Sequence, residues 1–163
     1  EILSCLLQPE KILEIGTFTG YSALCLAKGL QSDGVLHTIE LREEDAKIAR
    51  SFFSKSLHNN KIVLHVANAI DIIPTIDEQW DIVFIDADKV SYIDYYELTL
   101  PHVKQNGLII ADNVLFHGEV LEENIRGKNA KAIHAFNEHV ANDKRVEQVM
   151  LAVRDGLLLI RKL

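Results

Sequence analysis

Residues 12–22, Ile-Leu-Glu-Ile-Gly-Thr-Phe-Thr-Gly-Tyr-Ser, decide the fold. This stretch begins as an apolar run typical of a buried strand and continues into a turn that contains Gly16 and Gly20. After Gly20 the apolar residues follow a helical spacing. A strand, a glycine-containing turn and a helix in this order predict an α/β domain that binds a ligand at the turn.

The rest of the chain repeats the same alternation of short apolar runs, rich in Ile and Val, with amphipathic stretches. This pattern is typical of a parallel sheet covered by helices. Five strands are predicted, at residues 11–16, 35–40, 62–67, 80–87 and 107–112. Helices are predicted between them at residues 21–30, 43–57 and 91–103.

The pattern changes after Asp112. A loop precedes a helix around Phe136, and two further strands are predicted at residues 146–153 and 156–163. Asp155-Gly156 between them favours a tight hairpin, because both residues tolerate positive φ. The predicted fold is therefore a Rossmann-like, doubly wound α/β fold, with a mostly parallel seven-stranded sheet that ends in an antiparallel hairpin.

The composition fits one domain, since 163 residues that are 48% hydrophobic can bury a core without disulfides or a structural metal. A net charge of −7, from 24 acidic and 17 basic residues, argues against a nucleic-acid or anionic membrane partner. No signal segment or membrane span is evident, which predicts a cytoplasmic protein. Cys5 and Cys25 form no CxxC pair and are predicted to be reduced, buried thiols.

The start of the chain carries one further expectation. The sequence begins at Glu1 and its only methionine is Met150, so we expect an N-terminal helical segment to be missing from residues 1–163.

The ligand of the glycine turn is predicted from the strand ends. In open parallel sheets, ligands bind beyond the carboxyl ends of the strands, where the strand order reverses. The second strand ends at Glu40, where a carboxylate can accept hydrogen bonds from both ribose hydroxyls of an adenosine; the alternative is a helix-start role beside Glu43. Phe18 stands where a dinucleotide fingerprint requires glycine, which disfavours NAD.

The fourth and fifth strands end in acidic residues that should face the same crevice. Asp86 ends one strand, and Asp112 and Asn113 end the other. Their hard oxygen atoms suit Mg²⁺, Ca²⁺ or Mn²⁺ better than zinc. The alternative is that these residues only cap the turns that follow.

The motif Glu-Ile-Gly-Thr-Phe-Thr-Gly-Tyr-Ser at residues 14–22 resembles the metal-dependent, class I S-adenosylmethionine O-methyltransferases related to catechol and caffeoyl-CoA methyltransferases. The resemblance implies S-adenosylmethionine and a divalent cation as cofactors, with Mg²⁺ as the first candidate and Ca²⁺ or Mn²⁺ as alternatives. It also implies a set of cofactor-binding residues: Glu14, Gly16, Thr17 and Ser22 at the methionine end, Glu40 at the ribose, Ala69 at the adenine, and Asp86 and Asp88. The metal ligands would be Asp86, Asp112 and Asn113.

The resemblance also implies a mechanism in which Asp86 and Lys89 are catalytic. Methyl transfer needs a nucleophilic acceptor oxygen placed close to the methyl carbon. A metal that binds both oxygens of a vicinal diol favours the deprotonated form. Lys89, three positions after Asp86 as in the family, would take the proton as a neutral base.

Other residues of the same segments are open to two interpretations. Asp88 suits cofactor contact or helix capping, and Asp71 favours a helix-start role. His117 could touch substrate or be merely solvated. Tyr95 and Tyr96 are expected to pack a helix against the sheet with one ring outward.

Three functions are compatible with these features. The first is O-methylation of a catechol-like or hydroxycinnamoyl small molecule, by a homodimer as the resemblance to the family implies. The second is methylation of a hydroxylated tRNA uridine, against which the net acidity argues. The third is a non-catalytic adenosyl-ligand-binding module, which the metal-type residues together with Lys89 disfavour.

Overall fold

The computed structural model describes residues 1–163 and contains a single seven-stranded sheet. The strands are β1 (Lys11–Ile15), β2 (Val35–Glu40), β3 (Ile62–Val66), β4 (Trp80–Ile85), β5 (Val103–Asp112), β6 (Val146–Leu151) and β7 (Leu157–Lys162). Their order across the sheet is β3-β2-β1-β4-β5-β7-β6. Only β7 runs against the others, antiparallel to both β5 and β6. The predicted mostly parallel sheet with a C-terminal hairpin is confirmed.

Helices cover both faces of this sheet. They are α1 (Ile2–Leu7), α2 (Tyr21–Ala27), α3 (Glu43–Phe53), α4 (Ala69–Ile72), α5 (Tyr92–Thr99) and α6 (Lys128–Ala141). One buried hydrophobic cluster joins the sheet to α2 and α3 through Ala23, Leu26 and Phe53. A larger buried cluster joins the sheet to α5 and α6. No helix combines the length and apolar character needed to cross a bilayer.

Successive side chains of a strand point to opposite faces of the sheet, so a continuous apolar run supplies apolar side chains to both faces. In β4, Ile82 belongs to the cluster under α2 and α3, whereas Val83 and Ile85 belong to the cluster under α5 and α6. The central strands are therefore buried on both faces, which explains their nearly continuous apolar sequence.

The strand order creates one switch point. The chain places β2 and β3 on one side of β1, then crosses to add β4 and β5 on the other side. Helices that follow β1 and β4 therefore leave the sheet on opposite faces, and a crevice opens beyond the ends of these two strands. The glycine turn and Asp86 both lie at this crevice.

Some local predictions were wrong. β5 begins at Val103, four residues before the predicted start at Gly107, because Val103 pairs with Trp80 across an irregular register. The short α4 was not among the predicted helix ranges, although a helix start was expected at Asp71. Cys5 is exposed and Cys25 only partly buried, so burial of both thiols was wrong, although both are free.

Candidate active site

The ends of β1 and β4 are in direct backbone contact. Ile15 and Ile85 are paired, and the amide of Asp86 donates to the carbonyl of Ile15 at 2.9 Å. Gly16 adopts a φ of +100°, and a Cβ atom there would lie 2.2 Å from the carbonyl oxygen of Asp86. Only glycine allows this approach, which places the first turn of the motif against Asp86.

The second glycine of the motif, Gly20, packs against helix α3. Gly20 has a φ of +85°, and a Cβ there would lie 2.5 Å from the ring of Phe53. Helix α2 begins immediately after it, at Tyr21. The two glycines thus bend the chain from β1 into α2 between β4 and α3.

Two cavities open at the crevice. The β2-side cavity, of about 510 Å³, has walls that include Glu40, Ala69 and Asp88. The β5-side cavity, of about 980 Å³, is lined by a group that includes Thr17, Ser22, Asp112, Asn113 and His117. Both walls contain Gly16, Phe18 and Asp86. The cavities therefore adjoin at Asp86, and all the predicted cofactor residues except Glu14 lie on one wall or the other.

Glu40 is held by backbone amides at the end of β2. Its carboxylate accepts from the amide of Phe18 at 2.7 Å and from the amide of Arg42 at 2.9 Å. The side chain is buried, and its two oxygens retain further lone pairs for a ligand. This arrangement fixes a carboxylate in the wall of the β2-side cavity, where the sequence predicted a ribose contact.

Asp88 caps a turn and also faces a cavity, so its position is compatible with both interpretations. It caps the turn before α5 by accepting from the amide of Ser91 at 3.2 Å, and it lies in the wall of the β2-side cavity. The hydroxyl of Tyr95 donates to it at 2.8 Å. Tyr95 and Tyr96 are both buried, so the expectation of one outward ring was wrong.

Glu14 lies behind the glycine turn and in neither cavity wall. The hydroxyl of Thr38 donates to its Oε2 at 2.5 Å, and that hydroxyl lies 2.5 Å from the hydroxyl of Thr17. Complete burial raises the pKa of Glu14 to about 7, while its Oε1 has no hydrogen-bond partner. Glu14 therefore supports Thr17 from within the core.

A lysine joins the two strand ends that carry the predicted metal ligands. The Lys89 ammonium donates to Asp86 Oδ1 at 2.9 Å, to Asn113 Oδ1 at 2.9 Å and to the Tyr92 hydroxyl at 2.6 Å. Tyr92 is fully buried, and its hydroxyl donates to the carbonyl of Asp112 at 2.9 Å. The four side chains and this carbonyl form one connected network.

Asp112 is half-buried beside this network. Burial raises its pKa, and the nearby charge of Asp86 acts in the same direction. Its Oδ1 accepts from the amide of Asn113 at 2.7 Å, and Asn113 adopts a φ of +59°. The chain therefore turns sharply at the end of β5 and presents the two adjacent side chains to the β5-side cavity.

Known proteins share this arrangement of strands and turns. A family model described as O-methyltransferase matches residues 1–163. The chain belongs to the O-methyltransferase family. It is therefore an S-adenosylmethionine-dependent O-methyltransferase.

Relatives of this O-methyltransferase agree with that assignment. A probable caffeoyl-CoA O-methyltransferase 1 of Dictyostelium discoideum is 35% identical, with 100% of this chain and 74% of the relative covered. A catechol O-methyltransferase of Niastella koreensis is 32% identical, with 93% and 70% covered. The crystal structure of an O-methyltransferase from Bacillus cereus in complex with SAH has a TM-score of 0.93 and 33% identity, with 99% of this chain and 78% of that chain covered.

The residues of this O-methyltransferase fit the divalent cation that the resemblance implies. No group of three or more His, Cys, Asp or Glu side chains is placed to hold a metal. The predicted set instead has two carboxylates and one amide oxygen, the hard donors that Mg²⁺ and Ca²⁺ prefer. The Lys89 ammonium lies between oxygens of Asp86 and Asn113, so these side chains already stabilise a positive charge.

Two features of the enzyme were missed in the sequence. Tyr92, three positions after Lys89, has the spacing of one helical turn, which could have indicated the contact. Arg154 lines the β5-side cavity from the β6–β7 turn, and no sequence motif marks it.

Asp71 lies in the first turn of α4, as predicted. His117 lies in the wall of the β5-side cavity and is largely exposed.

Proposed function

We propose that this enzyme methylates one hydroxyl of a catechol-like or hydroxycinnamoyl small molecule and that it requires a divalent cation. The observation that carries the proposal is the junction of the two cavities at Asp86, beside a cluster of oxygen atoms around the Lys89 ammonium. A methyl donor and an acceptor must meet at one point, and this junction is where the two cavities share a wall.

The β2-side cavity is assigned to the nucleoside part of S-adenosylmethionine. Glu40 would accept hydrogen bonds from the ribose, Ala69 would contact the adenine, and Asp88 would bind from the opposite wall. Gly16, Thr17 and Ser22 would line the methionine end, with Glu14 supporting Thr17 from behind. When bound, S-adenosylmethionine supplies an electrophilic methyl group.

The β5-side cavity is assigned to the acceptor. Asp86, Asp112 and Asn113 would hold the cation, which we propose is Mg²⁺ and which supplies positive charge that favours a deprotonated acceptor hydroxyl. Lys89 would take the proton of that hydroxyl as a neutral amine, because a nearby dication disfavours its ammonium form; its nitrogen lies 2.9 Å from both Asp86 Oδ1 and Asn113 Oδ1. Tyr92 holds the lysine from the core side.

The remaining parts of the proposal concern the cellular state of the protein. We propose that the enzyme acts in the cytoplasm as a homodimer, as its resemblance to the family implies. Light scattering coupled to size-exclusion chromatography should give the mass of two chains.

Calorimetric titration with S-adenosylhomocysteine, with and without Mg²⁺, followed by a catechol turnover assay, tests the proposed function. We expect Lys89→Ala to bind the nucleoside product normally but to lose about 10²- to 10⁴-fold in kcat, because a general base is removed. We also expect chelation of divalent cations to abolish turnover in the wild type. Lys47→Ala, an exposed lysine of α3, is the matched control and should behave as wild type.

Two outcomes would contradict the proposal. Equal turnover by Lys89→Ala and the wild type would remove the lysine from the mechanism. Full turnover in the presence of a strong chelator would remove the metal.

A further inference from the structure

One arginine in the wall of the β5-side cavity has no role in the assignment above. Arg154 belongs to the β6–β7 turn and is the only lysine or arginine in that wall. It forms no ion pair or side-chain hydrogen bond. The arginines paired with carboxylates are Arg42, Arg50, Arg145 and Arg161. An unpaired guanidinium in a cavity wall offers several planar donors to an anion.

The turn that carries Arg154 is tied to the loop after the predicted metal ligands. The amide of Leu115 donates to the carbonyl of Asp155 at 2.9 Å, and the amide of Val114 donates to the carbonyl of Gly156 at 3.3 Å. The amide of His117 donates to Asp155 Oδ1 at 2.5 Å. These three bonds set the position of Arg154 relative to the end of β5.

Strand pairing adds to this constraint. Asp112 pairs with Leu157 in the antiparallel β5–β7 register, only three residues after Arg154. Arg154 itself has a φ of +54°, a conformation that few residues other than glycine adopt. The turn therefore holds the backbone of Arg154 beside the end of β5.

None of the carboxylates in the same cavity wall forms an ion pair with Arg154. Glu1, also in the wall, is paired with Lys28, and the Asp155 carboxylate already accepts the amide of His117. Asp86 and Asp112 together carry the charge that a dication would balance.

We propose that Arg154 binds an anionic group on the acceptor, a carboxylate or a phosphate, and that the enzyme consequently prefers negatively charged ortho-diphenols to neutral or cationic ones. This inference rests on the proposed function, because it takes the β5-side cavity as the acceptor site. The guanidinium would pair with the anion in the two-pronged geometry that arginine forms with carboxylates and phosphates.

The test compares acceptors that share a catechol ring but differ in charge. These are caffeate, its neutral methyl ester, cationic dopamine and caffeoyl-CoA, whose phosphates are the other source of negative charge. With saturating S-adenosylmethionine and Mg²⁺, Arg154→Gln should raise the KM for caffeate about ten-fold or more and leave the methyl ester unchanged. Calorimetric titration of caffeate into the enzyme with S-adenosylhomocysteine and Mg²⁺ should show the same loss of affinity.

Two further variants make the comparison sharper. Arg126→Gln is the matched control, since Arg126 is also exposed and unpaired but lies outside this cavity. It should change none of the four KM values. Arg154→Glu should reverse the preference, so that the KM for dopamine falls while the KM for caffeate rises.

The outcomes separate this inference from the proposed function. A loss confined to caffeate identifies a carboxylate as the partner of Arg154, and a loss confined to caffeoyl-CoA identifies phosphate. An equal effect of Arg154→Gln on the acid and its ester would overturn this inference alone. Failure of the wild type to methylate any of the four diphenols would overturn the proposed function, and this inference with it.

Discussion

The β2-side cavity contains a carboxylate whose position is fixed by backbone amides. Beside the β5-side cavity, in contrast, the polar groups are positioned by hydrogen bonds between side chains. Glu40 is anchored by two backbone amides at the end of a central strand. Lys89, in contrast, is bonded only to the side chains of Asp86, Tyr92 and Asn113. The first arrangement survives most side-chain changes nearby, and the second depends on each of its members.

The loops around the cavities differ in the same way. The glycine turn is short and packed against Asp86 and α3. On the β5 side, Asn113, His117 and Arg154 have positive φ without being glycine, and backbone hydrogen bonds join the loop after β5 to the β6–β7 turn. Loops of this kind tolerate variation better than the strands they connect. The difference suits an enzyme whose donor is constant and whose acceptor differs between relatives.

The largest effect that we expect is on stability, and it comes from the buried Glu14 behind the glycine turn. Its pKa of about 7 in the folded chain exceeds the ordinary value of 4.5, so the folded chain retains a proton that the unfolded chain releases between these two pH values. The stabilisation is therefore complete below pH 4.5 and is lost as the pH rises through about 7. The expected loss is on the order of 3 kcal/mol.

Urea unfolding of the ligand-free protein at pH 5 to 8 measures this effect. The wild type should lose stability as the pH rises, whereas Glu14→Gln should not. The free energy of unfolding of the variant minus that of the wild type should therefore increase with pH. Glu122→Gln, at an exposed carboxyl, is the control and should run parallel to wild type. A difference for Glu14→Gln that does not change with pH would show that Glu14 is ionised in the folded chain throughout.

Glu40→Gln tests the anchored carboxylate itself. Because charged hydrogen bonds contribute about 1.5 to 3 kcal/mol, the variant should bind S-adenosylhomocysteine about ten-fold or more weakly. Calorimetric titration measures this change, with Glu44→Gln, exposed at the start of α3, as the control. Unchanged affinity in Glu40→Gln would mean that the carboxylate serves only the backbone amides of Phe18 and Arg42.

The contrast between the cavities also explains what the sequence could reveal. The glycine turn and Glu40 lie within one β-α-β unit, so their spacing alone predicts that they share a site. The apolar runs similarly predict the sheet, because central strands must be buried on both faces. These features are local or repeat regularly, and the structure bears out the predicted fold.

Features that depend on strand register were not predictable. Arg154 lies near Asp112 because β7 pairs with β5, although 42 positions separate the two residues in sequence. The imidazoles of His37 and His65, whose nitrogens lie 3.1 Å apart, likewise meet only through the pairing of β2 with β3. The early start of β5 follows from its irregular pairing with β4. No local pattern encodes such contacts.

Tyr92→Phe tests whether the side-chain network positions Lys89, and we expect the smallest effect here. The hydroxyl bonds both Lys89 and the carbonyl of Asp112, so its loss should lower kcat about ten-fold through misplacement of the lysine, with little change in KM. It should also reduce stability by about 1 kcal/mol.

Tyr96→Phe is a close control, because it removes another tyrosine hydroxyl of α5, bonded at 2.8 Å to Asp143 away from both cavities. Both variants should lose similar stability, but only Tyr92→Phe should lose kcat. If the two variants lose kcat equally, the hydroxyl of Tyr92 acts through general stability, and Lys89 is positioned by Asp86 and Asn113 alone.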